Sequence, residues 1–240
     1  MNFLQRYGSA WSRLRRSRGY GIHSPFAFKF VLDVLCERLP YYSYGYIEGL
    51  RVAVIDAVRT GFWRHPRVIS AKSAKMLFRI TNYFNPASIL QIGTSYGVSS
   101  ACMMVVNSAS RLWLYEPHLD RYPVVGRVLQ PFLSRIDVYN DLQVALNDYF
   151  DIVGDESPFV LINGMPCGET DLAVMTGVVS RLIDSEAVIV MRNLARSNEM
   201  KALWNTCCSY GDRGQLFTND RLGVIVANAK MPREEFSLWF

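Results

Sequence analysis

The sequence predicts an α/β fold, a doubly wound seven-stranded mixed sheet whose last strand is antiparallel, preceded by a helical extension. Three observations carry this. From Ala87 onward, short apolar runs alternate with stretches of helical periodicity, the pattern of a parallel sheet with helices on its faces. The runs are apolar throughout, as strands buried on both faces must be. The last two runs are joined only by Asn219-Asp220-Arg221, a connection too short for anything but an antiparallel pair.

Each element has its own signature. Phe3, Leu4, Tyr7, Trp11 and Leu14 recur at helical spacing with arginines between them, which predicts an amphipathic helix over 3–17 closed by Gly19-Tyr20-Gly21. Ser24-Pro25 is an N-cap followed by proline at the first helical position, opening a helix from Phe26 to Leu39. A tyrosine-rich loop, Tyr41 to Tyr46, precedes helices at Glu48–Arg59 and Ser70–Phe84. The strands follow at 88–92, 111–116, 136–139, 159–162, 187–191, 214–218 and 223–227. Helices are expected between them at 98–107, 119–133, 142–150, 169–183 and 197–209. The boundaries are a helical extension over 1–84, an α/β core over 85–230 and a tail over 231–240, in one domain. The tail's Leu238-Trp239-Phe240 reads as a docking element of the core or a homodimer patch.

Composition removes several classes. Half the residues are hydrophobic and a fifth charged, which excludes disorder, and no apolar run approaches a membrane span. Trp11-Ser12-Arg13-Leu14-Arg15-Arg16 breaks any signal-peptide pattern, and five cysteines in no metal-ligand spacing read as reduced thiols. The expectation is a cytoplasmic protein. Of the net charge of +5, much sits in Arg6, Arg13, Arg15, Arg16, Arg18 and Lys29, all ahead of the first acid, Asp33. That basic arm either contacts a polyanion or simply caps the domain as a packed helix.

Ligands of such sheets bind beyond the carboxyl ends of the strands. The first strand runs into Gly93-Thr94-Ser95-Tyr96-Gly97-Val98-Ser99, where two glycines permit a sharp turn and close backbone approach ahead of a helix N-terminus. Glu116, at the end of the second strand and 23 residues beyond Gly93, can accept hydrogen bonds from both hydroxyls of a ribose. The spacing is not the G-x-G-x-x-G dinucleotide fingerprint, so a nicotinamide or flavin enzyme is disfavoured. His23, His65 and His118 have no partner indicated by the sequence and read as capping or surface residues.

With these residues in view, positions 70–229 resemble the class I S-adenosylmethionine-dependent methyltransferases, a Rossmann-like fold. Ile89 to Ser99 is similar to the L-E-L-G-T-S-x-G-x-S form of the small-molecule O-methyltransferase branch. Gly21-Ile22-His23-Ser24-Pro25-Phe26 resembles a segment of a group of bacterial methyltransferase-like proteins. The resemblance implies S-adenosylmethionine as cofactor, held by Gln91, Gly93, Thr94, Ser95, Gly97, Ser99, Glu116 and Asn163, with Arg192 and Asn193 facing the substrate.

Departures from the family pattern qualify that implication. Gln91 stands where the family has an acid that helps hold the cofactor's ammonium group. The metal-dependent branch ends its fourth and fifth strands in carboxylates that hold a divalent cation, and the corresponding residues here are Asn163 and Arg192-Asn193. Two amides and a guanidinium cannot hold such a cation, so no metal is expected. Two functions follow. One is a metal-independent methyltransferase acting on a small-molecule or macromolecular acceptor. The other is a catalytically silent methyltransferase-like binding module. A nucleotide-sugar enzyme on a similar sheet is a weaker third.

Overall fold

The computed structural model describes residues 3–60, 68–94, 96–121, 124–154 and 156–240. Its helices are α1 (Phe3–Arg16), α2 (Pro25–Phe30), α3 (Ser43–Thr60), α4 (Ala71–Phe84), α5 (Val98–Met104), α6 (Val125–Leu129), α7 (Leu142–Val153), α8 (Glu169–Asp184) and α9 (Asn198–Ser209). The strands are β1 (Ser88–Ile92), β2 (Arg111–Tyr115), β3 (Ile136–Tyr139), β4 (Phe159–Ile162), β5 (Val188–Arg192), β6 (Gln215–Thr218), β7 (Leu222–Val226) and β8 (Glu234–Ser237). They form one sheet in the order β3-β2-β1-β4-β5-β7-β6-β8.

The doubly wound reading holds, with one strand more than expected. The tail anticipated over 231–240 supplies β8, which pairs parallel to β6 with Phe236 beside Phe217, their rings stacked at 5.2 Å. The antiparallel strand is β7, running against both β5 and β6, and it is not the last in the chain. Burial explains the added strand. Phe236, Leu238 and Phe240 are buried, and an edge strand on β6 seats them while satisfying their backbone groups.

Each strand sends alternate side chains to opposite faces. Ile89, Leu112, Leu114, Leu161, Val188 and Val190 join one cluster with α2, α4 and α5; Leu90, Ile92, Trp113, Val160, Ile162 and Ile189 join the other with α7, α8 and α9. The same alternation, continued to the strand ends, assigns Gln91, Glu116, Asn163 and Arg192 to the α4/α5 face. One face thereby collects these four polar residues.

Three helical expectations shift. The helix expected over 26–39 is α2 followed by a π-turn at Val31–Leu35. From α4, the buried Arg79 guanidinium donates to the carbonyls of Val34 (2.6 Å) and Leu35 (3.3 Å), taking acceptors that a continuing helix would use. The tyrosine-rich loop is only partly a loop, because Ser43 to Tyr46 form the first turn of α3. Tyr41 and Tyr44 pack edge-on against Phe78, and the Tyr44 hydroxyl accepts from Arg79 at 3.1 Å. The helix expected over 119–133 is broken into two short 3₁₀ turns around α6, with Pro131 opening the second.

No helix among the described residues is long and apolar enough to cross a membrane. The five cysteines are free thiols. The basic arm is tied down: Arg13 of α1 pairs with Asp220 at 2.7 Å, and Ser17 accepts from the Trp239 amide at 2.7 Å.

Candidate functional site

The sheet order reverses between β1 and β4, and a crevice opens there beyond their carboxyl ends. β1 leaves the sheet through Gly93 at φ 73°, a backbone state only glycine adopts without strain. The Asn163 carboxamide, just past β4, donates to the Gly93 carbonyl (2.8 Å) and to the Ser99 hydroxyl (2.9 Å), closing the floor of the crevice. Gln91 donates to the same two oxygens, at 2.9 and 3.2 Å, and is wholly buried. Its Oε1 has no partner, a buried acceptor left over beneath the loop.

Glu116 is buried at the end of β2 and accepts from the Thr94 amide at 2.9 Å. Its other oxygen accepts from the His118 amide at 3.4 Å, so the carboxylate ties the β1 loop to the neighbouring strand. The Thr94 hydroxyl is 2.7 Å from that of Ser100 on α5. Gly97, at φ 80°, precedes α5 as its N-cap. Its missing side chain serves packing: a Cβ there would lie 2.8 Å from Val125 of α6 and 3.2 Å from Leu129. At Gly93, by contrast, a Cβ would stand at ordinary contact distance from Gly164 and Pro166.

At the end of β5, Arg192 donates through Nη1 to Asn163 Oδ1 at 2.6 Å, and Asn193 donates to the Asn163 carbonyl at 2.9 Å. Asn193 holds φ 60°, a left-handed state that asparagine tolerates better than most residues. Burial pushes the Arg192 guanidinium down to about 10, still protonated at neutral pH. With the amide oxygen of Asn163 facing a cation, the donor set does not suit a divalent metal. No cluster of three or more His, Cys, Asp or Glu that could hold a metal occurs among the described residues.

Of the residues singled out in the sequence, Thr94, Ser99, Asn163, Arg192 and Asn193 line a cleft of about 670 Å³. Gln91, Gly93, Gly97 and Glu116 lie beneath or behind that surface. Ser95 and His65 fall outside the described residues. His23 and His118 do not line the cleft. Sequence reasoning missed Lys72, Arg196 and Arg221, which also line it. Only Arg221 carried a signal, its place in the tight β6–β7 turn beside a strand end.

No protein-family model and no curated protein sequence matches the chain. Solved structures share its shape. The S-adenosylhomocysteine-bound methyltransferase PaMTH1 of Podospora anserina is 14% identical, covering 80% of this chain and 99% of that one at a TM-score of 0.54. An O-methyltransferase of Bacillus cereus, in complex with S-adenosylhomocysteine, is 17% identical and covers 82% and 96% at 0.50. A methyltransferase of Geobacter sulfurreducens is 12% identical and covers 77% and 96% at 0.51. At these identities the likeness is one of fold: the chain shares the α/β fold of these methyltransferases.

Proposed function

We propose that the protein is a metal-independent S-adenosylmethionine-dependent methyltransferase. The observation that carries the reading is convergence: the β1 loop at Gly93, Glu116 at the end of β2 and Asn163 at the end of β4 meet at the point where the sheet order reverses. Two neighbours of this shape, from Podospora anserina and Bacillus cereus, hold S-adenosylhomocysteine.

In this reading Glu116 accepts from the ribose hydroxyls, and the unpartnered Gln91 Oε1 accepts from the ligand's ammonium group. The backbone of Gly93 and Thr94 and the Ser99 hydroxyl shape the wall against the ligand. When bound, S-adenosylmethionine would supply an electrophilic methyl carbon to the acceptor's electron pair, the carbon–sulfur pair leaving with sulfur and the acceptor's proton passing to water. Such a reaction depends chiefly on alignment, which suits a cleft with no histidine among its described residues. Arg192 and Asn193 hold the acceptor on the opposite wall, and the fixed guanidinium takes the electrostatic role a metal would have.

A specific observation favours a second reading, a silent binding module. Gln91, Glu116 and Asn163 already bond to the protein's own loop, so each anchor is partly spent. Thermal unfolding with S-adenosylhomocysteine separates the readings from a protein with no nucleotide site. Ligand at a hundred times its Kd should stabilise the protein by about 2.7 kcal/mol, raising Tm by several degrees, equally in EDTA and in magnesium. No rise would defeat both readings, and a rise abolished by EDTA would defeat metal independence. A rise with no acceptor ever methylated is what the silent module predicts.

A further inference from the structure

The cleft beside the β1 loop carries an unbalanced charge. Lys72 in the first turn of α4, Arg192 at the end of β5 and Arg221 in the β6–β7 turn all line it. No Asp or Glu side chain does so among the described residues. The nearest acid in sequence to Arg221 is Asp220, and it is engaged elsewhere, by Arg13 at 2.7 Å. Arg192 has a neutral partner, the Asn163 carboxamide. Burial depresses the Arg192 guanidinium, and the charge of Arg196 acts in the same direction.

Like charges gathered along one cleft repel one another, and an anion placed among them relieves that repulsion. Guanidinium groups suit oxyanions in particular, through paired N–H donors. The rest of the wall is mixed, with Val68, Ile69, Met76 and Leu222 set among hydroxyl and carboxamide side chains such as Ser70, Ser73 and Asn219. A fitting ligand therefore has a strongly anionic head on a small body that meets both apolar and polar side chains. A phosphate monoester carries about 1.5 to 2 negative charges at neutral pH, which answers several cations better than a single carboxylate does.

We infer that this cleft is the acceptor site, and that the acceptor is a small molecule bearing a phosphate monoester. The inference rests on the methyltransferase reading for the word acceptor, and on the charge of the cleft for the chemistry of the ligand.

Phenyl phosphate is the probe, titrated calorimetrically at low salt into wild-type protein and into Arg221→Gln and Lys72→Gln. Both substitutions fall on exposed side chains, and unchanged Tm values would certify the folds. Phenyl phosphate should bind, each substitution should weaken it about tenfold, and added salt should weaken it further. Benzyl alcohol should not bind, and benzoate should bind more weakly than phenyl phosphate. Absence of phenyl phosphate binding, or wild-type affinity in both variants, would overturn the inference; benzoate binding as tightly would overturn the choice of phosphate. S-adenosylhomocysteine titrated into the same wild-type protein separates the two readings. If it fails to bind while phenyl phosphate binds and responds to the substitutions, the cofactor reading falls and the anion site stands.

Discussion

Gln91 is where a single side chain says most about the site. Its amide donates to the Gly93 carbonyl, so a glutamate there would set a carboxylate oxygen against a carbonyl oxygen in a fully buried position. Gln91→Glu should therefore cost the ligand-free protein about 1–3 kcal/mol, seen as a lower Tm. It should also enlarge the Tm rise that S-adenosylmethionine produces, because the ligand's ammonium group then meets a charge. An unchanged ligand-free Tm would contradict the hydrogen bond to Gly93.

The buried thiols give a second test at the same scale. Burial pushes Cys102 and Cys207 up to about 12 from an ordinary value of 9.0. Above pH 9 the unfolded chain releases these protons while the folded chain keeps them, so the unfolded state binds fewer and stability falls as pH rises. Arg192 acts oppositely from about pH 10, where the folded chain loses a proton that the unfolded chain keeps. Between pH 9 and 10 the thiols dominate. The urea midpoint should drop across that interval, and Cys102→Ala should make the drop shallower; an identical slope would mean Cys102 is not protected. The identity of these residues was legible in the sequence, including the amides where a metal site would need carboxylates. Their partners were not. Glu116 spends a lone pair on Thr94, and Asn163 spends its oxygen on Arg192, because the strand ends converge in space.

Among the elements, strands were read well and helix ends poorly, for a physical reason. A strand buried on both faces announces itself by composition, as Phe159-Val160-Leu161-Ile162 does. A helix end is decided by whichever group reaches its free carbonyls, and Arg79 does so from 45 residues away in sequence to Val34. β8 was invisible because Glu234-Glu235-Phe236-Ser237 has no apolar run; the open edge of β6 makes it a strand. Gly223 of β7 tests the packing of that end of the sheet. A Cβ at Gly223 would collide with the ring of Trp204 on α9, flanked by Thr218 and Met191 in the neighbouring strands. Gly223→Ala should cost about 1–3 kcal/mol of stability, read from denaturant unfolding. A neutral result would mean that α9 shifts freely over the sheet, which its buried Met200 and Leu203 argue against.

For the whole molecule, the doubly wound α/β plan was legible from alternation alone, β8 excepted. The cationic cleft was not. Lys72, Arg192 and Arg221 are remote in sequence, and only the crossover from β4 to β5 and the reversal at β7 bring them to one wall. The account stands on a nucleoside ligand at the reversal point between β1 and β4, with Glu116 on its ribose. Calorimetric titration of S-adenosylhomocysteine into wild-type protein and Glu116→Ala tests this most directly. The account predicts one ligand per chain, bound more weakly in the variant by about 1.5–3 kcal/mol, roughly ten- to a hundredfold. No binding by the wild-type protein, or equal affinity in a folded Glu116→Ala variant, would contradict it.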